Sequence, residues 1–154
     1  MFDFLSGELT EALSAEINDF ENVVITNVPR RKPSILKYGY DHAAVIARLV
    51  AKHTGAEYAS LLISKAEKVQ KRLQREERIK NASFAYKKKL PDLKGKTVIV
   101  VDDIVTTGAS MGACAALIRG LGPKTIIGAA ISIAYKDKQE KIATTDRFGV
   151  NKRS

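Results

Sequence analysis

Between Val98 and Ser110 the chain reads V-I-V-V-D-D-I-V-T-T-G-A-S. Four β-branched apolar residues read as a buried strand. Asp102 and Asp103 stand where that strand is expected to end. A short turn rich in hydroxyls follows and closes on Gly108, and 109–117 then reads as a helix. The peptide N–H groups of Thr106, Thr107, Gly108 and Ala109 are expected to point into one small concavity, with the hydroxyls of Thr107 and Ser110 as further donors. Gly108 permits positive φ and close backbone approach. The following helix dipole favours an anion there by about 0.3–1 kcal/mol. An anion-binding turn beside two carboxylates suits a ligand that carries both a phosphate and sugar hydroxyls.

Other phosphate motifs fit less well. Paired aspartates after an apolar strand also occur in Walker B segments, and strand-end acids often do no more than cap helices. A Walker B reading needs a G-x-x-x-x-G-K-[ST] partner. Gly95-Lys96-Thr97 resembles the end of one, but position 90 is leucine and the segment precedes a strand. Gly120 and Gly122 lack the third glycine of a dinucleotide fingerprint.

The run of apolar residues, two acids, two further residues and T-T-G-x-[ST] closely resembles the phosphoribosyl-pyrophosphate loop of type I phosphoribosyltransferases. The resemblance implies an α/β fold, a single-domain parallel sheet flanked by helices. It implies that Asp102 and Asp103 hold the ribose 2′- and 3′-hydroxyls, near a magnesium ion (Mg2+) brought in by the pyrophosphate. Thr106, Thr107, Gly108, Ala109 and Ser110 would hold the phosphate. Val28-Pro29-Arg30-Arg31-Lys32 follows the first strand, where the family binds the pyrophosphate leaving group. Arg30, Arg31 and Lys32 are the candidates for its growing charge.

The middle of the chain narrows the resemblance. Tyr38-Gly39-Tyr40-Asp41-His42 is similar to the R-G-F-N-Q segment of the competence protein ComF group. Gln70, Leu73, Arg78, Asn81 and Tyr86 match its later pattern, Q-x-x-L-x₄-R-x-x-N and an aromatic. The likeness spans about 24–135. Tyr38 stands for the group's arginine and His42 for its glutamine, and the single cysteine leaves no counterpart of the group's cysteine-rich zinc module. Within the family, 65–86 occupies the place of the loop that closes over the active site, with Lys68, Gln70, Arg75 and Arg78 as candidates.

What the resemblance implies is transfer of a phosphoribosyl group to an unidentified nitrogen acceptor, a nucleobase or another amine. In 6-oxopurine enzymes of the family an acid commonly stands at the place of Thr106, so threonine there argues against hypoxanthine or guanine. After Tyr135 the chain is polar and basic with little apolar material, so no hood to cover a base is evident. The alternative is a non-catalytic accessory protein in DNA uptake that binds phosphoribosyl pyrophosphate or a nucleotide. A direct nucleic-acid surface and a homodimer stay open at this point.

These residues need a scaffold. Leu9, Leu13, Ile17 and Phe20 share one helical face, which predicts a helix over 7–19. Strands are expected at 23–25, 58–63, 97–101 and 125–134, with Pro29 ending the first. Asp41 reads as the N-cap of a helix running to about His53, closed by Gly55. The pattern over 65–80 is helical but poor in apolar residues, and a helix after the loop ends near Arg119-Gly120. Strands alternating with helices predict a parallel sheet, with ligands at the strands' C-terminal ends. The domain is expected over 1–135, followed by a basic, partly disordered tail over 136–154.

Composition sets outer bounds. A chain of 154 residues with 45% hydrophobic content supports one globular core. Cys114 falls on the helix after the loop, where core packing is its expected role. No apolar run approaches the roughly 20 residues of a membrane span, and 1–10 lacks the basic start of a secretory signal. The cytoplasm is the expected location. The net charge is +9, and the segment 65–96 carries most of it, with 12 lysines and arginines against 4 acids. That segment suits a polyanionic ligand, a nucleic acid or solubility alone. Neither His42 nor His53 has a recognisable partner in the sequence.

Overall fold

The computed structural model describes residues 2–30, 39–65, 84–105, 107–133 and 143–148. In chain order its elements are α1 (Phe2–Glu16), β1 (Val23–Asn27), α2 (His42–Thr54), β2 (Glu57–Tyr58), β3 (Leu62–Ser64), β4 (Phe84–Tyr86), β5 (Thr97–Val105), α3 (Ala109–Arg119), β6 (Thr125–Ile133) and β7 (Ala143–Phe148). Five strands form one sheet in the order β2-β1-β5-β6-β7. The first four run parallel, and β7 pairs antiparallel on the β6 edge. β3 and β4 form a separate antiparallel pair. The sheet is the expected α/β architecture. β7 lies within the segment set apart as a basic tail, and to that extent the tail belongs to the sheet.

Strand alternation organises the core. Along β5, Ile99 and Val101 face one side, joined by Val23 and Ile25 of β1, by Leu9 and Leu13 of α1, and by Ile46 and Val50 of α2. Val98 and Val100 face the other side, against Met111, Cys114 and Ile118 of α3 and Leu61, Leu62 and Leu93. One unbroken apolar run therefore serves two cores, because successive side chains leave a strand on opposite faces. Val98, Ile99, Val100 and Val101 are all fully buried.

Several boundaries differ from expectation. α1 starts at Phe2 rather than Gly7, its first turn held by the Phe2 ring against those of Tyr40 and His42. It ends at Glu16, because the Asp19 carboxylate accepts from the Glu21 N–H at 2.9 Å and forms a turn. The expected strand 58–63 is two strands. After Tyr58 the chain makes one more bond to β1, Ala59 N–H to the Ile25 carbonyl at 3.0 Å. The Leu61 N–H then reaches the Thr26 hydroxyl at 3.4 Å, and the chain leaves the sheet for the β3–β4 pair. Asp41 and Gly55 close α2 as expected. The Asp41 side chain accepts from the Ala44 N–H, and Gly55 takes the left-handed conformation at φ 79°. The helical pattern over 65–80 falls almost wholly outside the described residues.

The chief correction concerns β5, which was expected to end at Val101. It continues through both aspartates to Val105, since β6 runs alongside and pairs Asp102 with Ala130 and Ile104 with Ser132. β1 stops earlier, with Asn27 opposite Val101. β5 thus outlasts its neighbour, and the two acids lie on that step.

Replacing Ile99 by alanine removes a fully buried side chain from the central strand. A loss of about 2–5 kcal/mol is expected. In urea unfolding it should appear as a lower midpoint with an unchanged slope.

Candidate active site

The chain passes from β1 through α2 to β2 on one flank, and from β5 through α3 to β6 on the other. The crevice between the C-terminal ends of β1 and β5 is therefore the point where the winding reverses, the usual ligand position in such sheets. Val28 N–H closes the last rung with the Val101 carbonyl at 2.9 Å. Pro29 then turns the chain away, which leaves the acids of β5 facing an open step.

Alternation sends those acids to different sides. Asp102 shares its face with Val98 and Val100. Its side chain lines a cavity of about 70 Å³ together with Thr107, Gly108, Ala109, Ser110 and Met111. That volume is suited to a small polar group. Asp103 shares its face with Ile99 and Val101, and its Oδ2 accepts from Arg30 Nη2. His42 Nδ1, at the start of α2, lies 3.7 Å from the same oxygen. Each carboxylate also accepts a backbone N–H, Asp103 N–H to Asp102 Oδ1 and Ile104 N–H to Asp103 Oδ1, both at 2.8 Å.

The surroundings divide the charge unequally. Burial, with the adjacent Asp103 carboxylate, pushes the Asp102 carboxyl up to about 8. Burial also opposes ionisation of Asp103. It is outweighed by the hydrogen bond with Asp102 and the Arg30 guanidinium, which hold Asp103 below the usual carboxylate range. At neutral pH the pair carries chiefly one negative charge, on Asp103, and one proton, on Asp102.

At the turn before α3 the expected positive φ is present. Gly108 sits at φ 81°, ψ 3°, and its carbonyl begins the helix by accepting from the Gly112 N–H at 2.8 Å. A side chain there would be strained, so glycine is required. One donor differs from expectation. The Ala109 N–H, expected to face the anion, donates to Thr107 Oγ1 at 3.2 Å. A threonine hydroxyl two residues back is a favourable local acceptor. Thr106, Arg31 and Lys32 lie outside the described residues.

Arg30 is brought to the acids, and Asp41 fixes it there. Asp41 Oδ2 accepts from the Arg30 N–H at 3.0 Å while Oδ1 accepts from the Ala44 N–H at 3.2 Å. The sequence reading saw only the second role. It also left His42 unassigned. A cluster of Phe2, Tyr40 and His42, with ring centroids 4.8–5.6 Å apart, adjoins Asp103 on the α1–α2 side. Nothing in the sequence marked Phe2, since only the folded α1 carries it to the C-terminal end of the sheet. Cys114 is buried as expected, and burial, with the nearby Asp102 charge, pushes its thiol up to about 12.

Residues 34–153 match the phosphoribosyl transferase domain family. A ribose-phosphate pyrophosphokinase of Saccharolobus solfataricus is 30% identical over 109 residues, which cover 68% of this chain and 34% of that protein. This chain thus spans about a third of that relative's length. Among solved structures, a hypoxanthine-guanine phosphoribosyltransferase from Bacillus anthracis superposes with a TM-score of 0.58 at 18% identity, covering 84% of this chain and 66% of that one. A purine phosphoribosyltransferase from Pyrococcus horikoshii gives 0.53 at 19% identity, covering 86% and 72%. At such identities these structures define the fold. The protein belongs to the phosphoribosyl transferase domain family. Among the described residues no helix is long and apolar enough to cross a membrane.

The Asp102 environment yields a pH prediction. Its folded pKa of about 8 lies above the unfolded value near 4. Between those values the folded state binds the extra proton, so stability should fall as pH rises from about 4 to about 8. Asp103 contributes with the opposite sign, only below the unfolded value. Chemical denaturation across this window should show the wild type losing stability with pH relative to Asp102→Asn. Parallel profiles of the two proteins would refute the protonated state.

Proposed function

We propose that this protein binds magnesium phosphoribosyl pyrophosphate and transfers the phosphoribosyl group to a nitrogen acceptor. The observation that carries the reading is the β5 step, with an anion turn at Gly108, Asp102 entering its cavity and Asp103 paired with Arg30. The 5′-phosphate occupies the turn from Thr106 to Ser110. The ribose hydroxyls lie against Asp102 and Asp103, and the pyrophosphate lies toward Arg30, Arg31 and Lys32. Support also comes from the relatives, since a pyrophosphokinase named for ribose phosphate and phosphoribosyltransferases handle the same kind of sugar phosphate.

In this reading the protein's own residues position and stabilise charge. Asp103 releases Arg30 to the leaving group and turns to a ribose hydroxyl. Asp102, holding a proton, can donate to one hydroxyl oxygen and accept from another. Among the described residues no three His, Cys, Asp or Glu side chains converge as a metal cage. Two adjacent carboxyls without further acidic partners among those residues fit a magnesium ion that keeps most of its oxygens from pyrophosphate and water. When bound, such an ion would neutralise leaving-group charge.

A second reading is a ComF-like accessory protein of DNA uptake that binds the same ligand without turnover. It rests on the segments around Tyr38 to His42 and Gln70 to Tyr86. The pairing of Arg30 with Asp103 favours it, since that contact occupies two groups a catalyst needs. We place the protein in the cytoplasm in either reading.

A thermal melt with and without magnesium phosphoribosyl pyrophosphate tests the site. Ligand at 100 times its dissociation constant should add about 2.7 kcal/mol, a rise of roughly 5–11 °C for a chain of this size. Asp102→Asn with Asp103→Asn should abolish the rise while leaving a cooperative unfolding transition. An equal rise in the double variant would refute the role of the acids. Pyrophosphate release across a panel of nitrogen acceptors separates the two readings: release with one acceptor marks the enzyme, binding without release the accessory protein.

A further inference from the structure

A second and larger cavity, about 330 Å³, opens between α2 and the β3–β4 pair. It is bounded by the flank of α2 that does not enter the core, for Asp41, Ala44, Val45 and Arg48 line it while Ile46, Ala47 and Val50 face the sheet. Its chemistry has two parts. Among the described residues, Arg30, Arg48 and Lys87 line it against one acid, Asp41. Both Asp41 oxygens already accept backbone N–H groups. Among the described residues the recorded ion pairs engage Arg30 but neither Arg48 nor Lys87. The other part is aromatic. Tyr40 is 45% exposed and packs on His42 at 4.8 Å. Tyr58 is held by its hydroxyl on Asn27 Oδ1 at 2.6 Å, with the Arg48 guanidinium 5.1 Å from its ring centre.

We propose that this cavity is a second ligand site, for a nucleotide whose ring lies against Tyr40 and whose phosphates meet Arg48 and Lys87. The volume lies at the lower end of small-molecule sites and exceeds what a lone phosphate needs. Tyrosine faces stack flat heterocycles, and unneutralised guanidinium and ammonium groups bind phosphate through charge-assisted hydrogen bonds. Arg30 borders this cavity and also pairs with Asp103. An anion here draws Arg30 away from the acid, so the two sites are linked through one side chain. The inference goes beyond the phosphoribosyl reading, since neither Arg48 nor Lys87 belongs to the ribose or phosphate sites.

Calorimetric titration of ADP into the Asp102→Asn, Asp103→Asn protein isolates the cavity, because the ribose acids are disabled there. ADP should bind this protein at least as tightly as it binds the wild type, since Arg30 is released. Adding Arg48→Ala and Lys87→Ala should weaken ADP at least tenfold. Both side chains are exposed, so a thermal melt should find the fold intact, and Tyr40→Leu gives an independent cavity variant with a loss of several fold. Inorganic phosphate should bind at least tenfold more weakly than ADP. ADP affinity that ignores Arg48 and Lys87, or that vanishes with the acids, would overturn the proposal. So would phosphate binding as tightly as ADP, which would make the site one for plain anions. These outcomes do not depend on whether phosphoribosyl pyrophosphate raises the melting temperature.

Discussion

Two demands meet on β5. The strand is the apolar spine of the sheet, buried on both faces from Val98 to Val101, and it also carries the two carboxylates of the site. Both demands are met because β1 ends one residue short of the acids while β6 continues to pair beyond them. Without the step, Asp102 and Asp103 would lie between two strands in an interior that penalises charge. With it, their backbone stays in the ladder on one side, and their side chains reach a crevice lined by polar groups. The β1–β5 register therefore matters more to this site than any single side chain in it.

From that step the polar network runs outward in one direction. Asp103 holds Arg30, Arg30 is held through its backbone by Asp41, and Asp41 caps α2. The turn after β1 is thus tied to the acid on β5 and to the N-terminus of the next helix. In the other direction Asp102 faces α3 and the turn at Gly108. The two neighbouring acids thus lead to two separate layers of the protein, and their unlike environments give them unlike protonation. The surroundings of one acid are set by the β1 turn, and of the other by the start of α3.

Much of this was legible in the sequence. The apolar run, the paired acids and T-T-G-A-S located the turn, Asp41 and Gly55 bounded α2, and Cys114 fell in the core. The end of β5 was misjudged because two aspartates look like a strand terminus. Only the length of β6, a separate strand that begins at Thr125, decides otherwise. The break between β2 and β3 was hidden for a similar reason, since the Thr26 hydroxyl that replaces the ladder belongs to another strand. His42, Tyr40 and Phe2 carry no spacing signal; their meeting is a product of α1 lying against α2. Local chemistry is written in neighbouring residues, whereas registers and clusters are written in pairs far apart.

Cys114 has a consequence of another kind. It is fully buried on α3, beyond the turn at Gly108, with its thiol held far above neutral. A thiol in that condition is inert to alkylating reagents while the helix is docked. It becomes reactive when α3 lifts from the sheet or when the whole chain opens. The chain has no other cysteine, so the rate of its modification is a clock on one event, the separation of α3 from β5. The same helix begins at Gly108, so an anion seated in that turn would slow the clock.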